Sequence, residues 1–194
     1  MKQIVCFGDS NTYGYIPENG ERYPWGVRWT SLLNEKLGYG KYHIEEEGLC
    51  GRTTIFEDPL RDNRNGSHML PALLETHQHA DLIIVMLGTN DLLQGRSPEQ
   101  TAERMERFLS GISLDRKKIL LIAPPPVALG AWVPNQQLID DSHTFAQLCQ
   151  SLAERMGVRF ADAGTWNISL TYDGVHFTEQ GHKAFASGLL EVLK

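Results

Sequence analysis

Two runs decide the fold: Leu82-Ile83-Ile84-Val85-Met86-Leu87 and Ile119-Leu120-Leu121-Ile122-Ala123. Both are apolar at every position. A strand with one wet face alternates apolar and polar residues. An unbroken apolar run of this length suits a strand covered on both faces, as in a parallel sheet. Working outward, residues 3–7, 42–46 and 158–162 read as three further strands, with the two decisive runs lying within 81–87 and 118–123. The second in chain order, around His43-Ile44-Glu45-Glu46-Glu47, is polar and belongs at a sheet edge, its three glutamates facing solvent.

Helical patterns separate the runs. Residues 25–37 place Trp29, Leu32, Leu33 and Leu37 on one face. Residues 98–109 start behind Ser97 as N-cap, with Pro98 at the first helical position. Residues 142–156 carry Phe145, Leu148, Cys149, Leu152, Ala153 and Met156 at steps of three, one, three, one and three, and stop at Gly157. Residues 178–193 close the chain, and 69–78 form a shorter candidate. Strand and helix in alternation imply a parallel sheet with helices on both faces. Five strands suggest an α/β, flavodoxin-like three-layer sandwich of order 2-1-3-4-5, whose ligand crevice lies at the carboxyl edge beside strand 1. No linker or repeat interrupts residues 1–194, so one domain is expected. Two stretches, 50–68 and 124–141, exceed the roughly 12–15 residues of an ordinary connection, and long loops in compact domains are usually functional.

The chain has 194 residues, 41% apolar and 22% charged, with 18 basic and 24 acidic side chains and a net charge of −6. That balance weighs against nucleic acid as partner, since backbone-phosphate binders carry a basic face. No run approaches the roughly 20 apolar residues of a membrane helix, and Met1 leads directly into the first strand without a signal-type segment. Three cysteines (Cys6, Cys50, Cys149), without CxxC spacing, argue against a disulfide framework or a thiolate metal site, so a reducing, cytoplasmic compartment is expected. His77 and His79 lack a third ligand, and no nucleotide-binding glycine motif occurs; no metal and no cofactor are expected.

Chemistry gathers where the runs end. The first is followed by Gly8-Asp9-Ser10-Asn11, the second by Gly48-Leu49-Cys50-Gly51-Arg52-Thr53, the third by Gly88-Thr89-Asn90-Asp91, and the fifth, ten residues on, by Asp173-Gly174-Val175-His176. All four belong at one sheet edge. They bring together a hydroxyl, a Gly-rich turn, a carboxamide, a carboxylate and an imidazole, which is the inventory for acyl transfer by a serine nucleophile. Taken singly each block has a structural reading: Ser10 and Asn90 as helix caps, Asp9 and Asp91 as turn residues, His176 as a bonded loop histidine, Arg28 and Arg52 as ion-pair partners, Cys50 as a small packing residue. The conjunction favours chemistry.

In these four blocks the sequence resembles the GDSL/SGNH hydrolases, named for a Ser in G-D-S, a Gly in a second block, an Asn in G-x-N-D and a His in D-x-x-H. They stand in the family's order and span residues 8 to 176. Within the family the chain is most similar to bacterial arylesterases and acyltransferases, through Val27-Arg28-Trp29-Thr30, Glu46-Glu47-Gly48-Leu49, Arg52-Thr53-Thr54, Pro124-Pro125-Pro126 and His176-Phe177-Thr178-Glu179. One departure is Asn11 in place of Leu, a change read here as without consequence for the chemistry.

The roles expected are these. Ser10 is the nucleophile. His176 is its base, because a free imidazole titrates near 6.5. Asp173 orients and stabilises the imidazolium. The N–H groups of Ser10 and Gly51 and the carboxamide of Asn90 are oxyanion donors. Tyr13, Tyr15, Trp25 and Trp132 are candidate walls for an apolar acyl or aryl group. The expected activity is hydrolysis of small esters, with possible acyl transfer. Alternatives are a thioesterase or lysophospholipase, a carbohydrate deacetylase, or a flavodoxin-like anion-binding module, which would need neither Asp173 nor His176. Similar arylesterase/acyltransferases assemble, so a homo-oligomer is expected.

Overall fold

A computed structural model describes residues 1–194. Five parallel strands form the main sheet: β1 (Lys2–Gly8), β4 (Tyr42–Gly48), β5 (Leu82–Met86), β6 (Ile119–Ala123) and β7 (Arg159–Asp162). Their order is β4-β1-β5-β6-β7, which is 2-1-3-4-5 when counted along the sheet's own strands. A two-stranded hairpin, β2 (Tyr15–Ile16) with β3 (Glu21–Arg22), stands apart from this sheet.

The alternation of a pleated strand explains the all-apolar runs. Ile83, Val85 and Leu87 pack on one face, against Phe108 of α5 (Pro98–Ser110), Phe145 and Leu152 of α6 (Gln136–Met156) and Leu70 of α3 (Gly66–Thr76). Leu82, Ile84 and Met86 pack on the other, against Trp29 and Leu33 of α2 (Trp29–Leu37) and Phe185 and Leu189 of α7 (Glu179–Leu193). Burying each such side chain contributes about 1.5–3 kcal/mol. Neither face of β5 or β6 has room for a polar residue.

Several boundaries differ from expectation, for local reasons. α6 begins at Gln136, not 142. Asn135 caps it by accepting the Leu138 N–H at 3.1 Å, and its first turns face water with Gln136–Asp140 and Gln137–Asp141 pairs, so no apolar periodicity marks them. α2 starts at Trp29, because Gly26 (φ +89°) and extended Arg28 hold residues 25–28 in a turn. β4 is indeed the edge strand, yet Glu46 is not solvated: Arg28 grips it at 2.9 and 2.7 Å, Arg22 reaches it at 3.3 Å, and the Thr30 hydroxyl bonds it too. Glu47 meets His77 at 2.9 Å. Arg28 is thus an ion-pair residue as expected. Arg52 is not: its guanidinium donates to the carbonyls of Gly8 and Glu47 and lies over the Phe7 ring at 4.1 Å. No helix is long and apolar enough to cross a membrane.

Candidate active site

β1 ends at Gly8, and the chain turns at once into α1 (Ser10–Tyr13). Asp9 caps this short helix by accepting the Asn11 N–H at 3.0 Å. Ser10 stands at the helix N-terminus, 7% exposed, with its Oγ 2.9 Å from His176 Nε2. On the far side of the ring, Nδ1 lies 2.5 Å from Asp173 Oδ2. The other carboxylate oxygen, Oδ1, accepts the N–H groups of Val175 (2.9 Å) and His176 (3.0 Å) and the Thr171 hydroxyl (2.8 Å). Asp173 is fully buried. Burial alone would raise its pKa, but the hydrogen bonds from the His176 ring and the two backbone amides outweigh it and hold the carboxyl well below the usual range. It is therefore an anion aimed at an imidazole whose other nitrogen faces a serine hydroxyl.

Two aromatic rings pack against the imidazole. The Tyr15 ring lies 4.9 Å from it, tilted by 57°, and the Trp132 ring lies 4.9 Å away, edge-on at 82°. Trp132 arrives from the segment after β6, as expected for a loop leaving a strand's carboxyl end. That segment runs alongside the Asp173 turn: Ala131 N–H to Tyr172 O at 3.1 Å, Trp132 N–H to Asp173 O at 3.0 Å, and Ala128 N–H to Gly174 O at 2.9 Å. The two backbones approach so closely that a Cβ on Gly174 would sit 2.0 Å from the Ala128 carbonyl oxygen. Only glycine fits there.

Gly51 and Asn90 face the same spot from two other strand ends. Gly51 follows β4 in a left-handed conformation (φ +78°), and a Cβ on it would lie 2.2 Å from the Arg61 guanidinium. Asn90 is the second residue of α4 (Thr89–Leu93), after Gly88 at φ +114°. Its Nδ2 donates to Arg52 O at 3.1 Å, while Asp9 Oδ2 is 3.4 Å away, so one carboxamide N–H is only weakly engaged. Asp91 next to it is fully buried and accepts the Thr54 N–H (3.1 Å) and hydroxyl (2.5 Å), tying α4 to the loop that carries Gly51. Burial pushes the Asp9 and Asp91 carboxyls up to about 6.

These groups surround a cleft of about 130 Å³ lined by Ser10, Gly51, Asn90 and His176, with Tyr15, Trp132, Cys50 and Arg61 completing its walls. Of the four aromatic residues expected to line it, Tyr15 and Trp132 do. Tyr13 does not: Arg22 covers its ring at 4.5 Å. Nor does Trp25, which is 54% exposed with Arg28 beneath it. Each instead makes a local cation–π contact with an arginine. Cys50 is half-buried, and burial pushes its thiol pKa up, so it is not a ready thiolate. Arg61 was not singled out from the sequence; the length of its loop was the only signal.

Asn11 also matters more than expected. Its Nδ2 donates to Val175 O at 3.1 Å, and its Oδ1 accepts the Phe177 N–H at 3.0 Å. The carboxamide therefore grips the backbone on both sides of His176, which a Leu could not do.

Known proteins share this architecture. The sequence profile of the GDSL-like Lipase/Acylhydrolase family matches residues 6–184. A carbohydrate acetylesterase family member from Sinorhizobium meliloti superposes with a TM-score of 0.89 at 32% identity, covering 100% of this chain and 97% of that one. The M. smegmatis aryl esterase superposes with a TM-score of 0.86 at 35% identity, covering 100% and 98%. Among curated proteins, the Thioesterase 1/protease 1/lysophospholipase L1 of Escherichia coli is 29% identical over 119 residues, 61% of this chain and 49% of that protein. The chain thus spans about half the length of that relative. With the profile covering nearly all of its sheet, its helices and the four strand-end blocks, the chain belongs to the GDSL-like lipase/acylhydrolase family.

Proposed function

We propose that the protein is a serine esterase acting on small, short-acyl esters through an acyl-enzyme on Ser10. The observation that carries the reading is the continuous Ser10–His176–Asp173 chain of hydrogen bonds opening onto a cleft of about 130 Å³.

Ser10 Oγ attacks the ester carbonyl carbon while His176 Nε2 takes its proton. The imidazolium that forms is stabilised by the Asp173 anion. The carbonyl oxygen becomes an oxyanion and receives hydrogen bonds from the N–H groups of Ser10 and Gly51 and from Asn90 Nδ2. As the intermediate collapses, the alkoxide leaves with the proton held by His176. Water then enters, gives a proton to His176 and attacks the acyl carbon. The second collapse returns that proton to Ser10 Oγ and frees the acid. The side chains of Ser10, His176, Asp173 and Asn90 and two backbone amides suffice for every step, so a chelator is expected to leave the rate unchanged.

The size of the cleft supports a short acyl group and weighs against the long chains of a lysophospholipase. Tyr15 and Trp132 make its mouth apolar, which supports acylation of alcohols in competition with water. A groove of about 540 Å³ shares Trp132 with the cleft and is lined also by the polar Ser97, Asn135 and Gln137. This favours, as a second reading, deacetylation of a polyhydroxylated alcohol, the activity class named for the Sinorhizobium meliloti neighbour.

An organophosphonate is expected to label Ser10 and stop turnover, and 4-nitrophenyl acetate and butyrate to outrun the octanoate. Label elsewhere, or full activity in Ser10→Ala, overturns the mechanism; preference for the octanoate overturns the substrate class.

A further inference from the structure

Among the residues lining the cleft, Arg61 carries the one permanent charge. Its placement is built rather than incidental. Asp58, 8% exposed, accepts Arg61 Nε at 3.2 Å and Nη2 at 3.0 Å on Oδ2, and is itself held by the Leu60 N–H on Oδ1 at 2.8 Å and by Gln94 Nε2 at 3.4 Å. The guanidinium then lies flat against Gly51, occupying the space a Cβ would take; Nη2, Cζ and Nη1 all fall within 2.6 Å of that position. Asp58 engages only the Nε/Nη2 edge. The two N–H groups of Nη1 have no protein acceptor, and the side chain is about half exposed, so that edge is open to whatever occupies the cleft.

A planar, always-charged fork with a free edge is suited to a carboxylate, to which it can offer parallel N–H donors. The other acids nearby do not compete for it: Asp9 and Asp173 are buried behind Ser10 and His176 and spend their oxygens on the amides, ring and hydroxyl described above. Two neighbouring arginines add to the positive character of this wall. Arg64 donates to Cys50 O at 2.8 Å, and Arg52 lies under the nucleophile turn on Gly8 O. A wall of this sign stands out in a chain of net charge −6.

From this geometry we infer that Arg61 is a specificity-determining residue, selecting esters that carry a carboxylate close to the scissile carbonyl. The inference deepens the esterase reading and rests on it for its catalytic consequence, though not for the binding itself. Gly51 is a proposed oxyanion donor, so an anion held by Arg61 is adjacent to the ester carbonyl. The carboxylate belongs either to the acyl chain or to the alcohol part, and the two sources can be separated.

The test compares matched charged and neutral esters at low ionic strength, each rate corrected for the uncatalysed reaction: 4-nitrophenyl hydrogen succinate against the butyrate for the acyl side, and 4-acetoxybenzoate against its methyl ester for the alcohol side. The wild type is expected to favour the anionic member of one pair at least tenfold in kcat/KM. That ratio should fall toward one in Arg61→Gln and be partly retained in Arg61→Lys, whatever the absolute rates do. A ratio of one in the wild type for both pairs, or a ratio kept in Arg61→Gln, overturns the inference. A second readout does not need turnover: Ser10→Ala titrated calorimetrically with monomethyl succinate and methyl butyrate should bind the first more tightly, and lose that margin on adding Arg61→Gln. If the wild type cleaves none of these esters while this margin is present, the esterase reading fails and the anion site stands. If esters are cleaved but no margin appears, the reverse holds.

Discussion

Asn11 and Phe177 are joined by a 3.0 Å hydrogen bond across 166 residues of sequence, and the same carboxamide donates to Val175 O at 3.1 Å. His176 lies between those two anchors. The residue immediately after Ser10 thus sets the position of the His176 ring, and the Ser10–His176 distance of 2.9 Å depends on a contact that no local pattern announces.

Replacing Asn11 by Leu removes both bonds and leaves a buried carbonyl and a buried N–H unpaired. Each unpaired group costs about 1–3 kcal/mol. We expect a clear drop in the urea midpoint. We also expect a fall in kcat/KM larger than in Asn11→Asp, whose carboxylate can still accept the Phe177 N–H. Equal activity in Asn11→Leu and wild type, measured on 4-nitrophenyl acetate, would show that His176 is positioned without this clamp.

Asn90 is expected to act on the transition state rather than on ground-state binding. Its second carboxamide N–H meets Asp9 only at 3.4 Å and can turn to an oxyanion. Asn90→Ala should lower kcat roughly 10²–10³-fold with KM little changed, as when other oxyanion donors are removed. Steady-state kinetics decide the matter, and an effect confined to KM would make Asn90 a substrate-binding residue.

Gly51→Ala meets two penalties. A side chain at φ +78° is strained, and its Cβ collides with the Arg61 guanidinium. The conformational part costs about 1–2 kcal/mol. In an Arg61→Ala background only that part remains. Thermal melts of the four proteins of this cycle should therefore show a smaller penalty for Gly51→Ala when Arg61 is absent. A penalty of equal size in both backgrounds would mean that the two residues do not touch.

His182 makes stability depend on pH. It is buried against α2, accepting the Trp29 N–H on Nδ1 at 3.2 Å. Burial, aided by Arg28, pulls its pKa down to about 3. The unfolded chain, with a free imidazole near 6.5, binds the proton first. Stability is therefore fully present above about pH 6.5 and is lost as pH falls toward 3, by about 1.4 kcal/mol for each unit crossed. Asp9 and Asp91, with carboxyls raised to about 6, act in the opposite sense, their contribution falling as pH rises from about 4 to 6. Comparing urea midpoints of wild type and His182→Gln isolates the histidine. The difference between them should shift against the wild type on acidification, and a pH-independent difference would refute the assignment.

The fold was legible because it rests on local periodicity. Runs such as 82–87 and 119–123 suit strands covered on both sides, and the stripe ending at Met156 suits a helix packed on one face. Five strands alternating with helices then leave few topologies, and the order found is the one expected. The gathering of the Ser10, Gly51, Asn90 and His176 blocks follows from the same rule, since each comes after a strand and parallel strands end at one edge. Tertiary structure alone decided which way the side chains at that edge turn. Tyr15 and Trp132 reach His176 while Tyr13 and Trp25 meet Arg22 and Arg28. Asn11 clamps Val175 and Phe177, and Arg61 comes to lie on Gly51. Such contacts join loops whose conformations are set by hydrogen bonds to distant backbone, as between 128–132 and 172–174. A one-dimensional pattern records which residues a loop contains; it holds no period from which their directions, or their partners more than a hundred residues away, can be read.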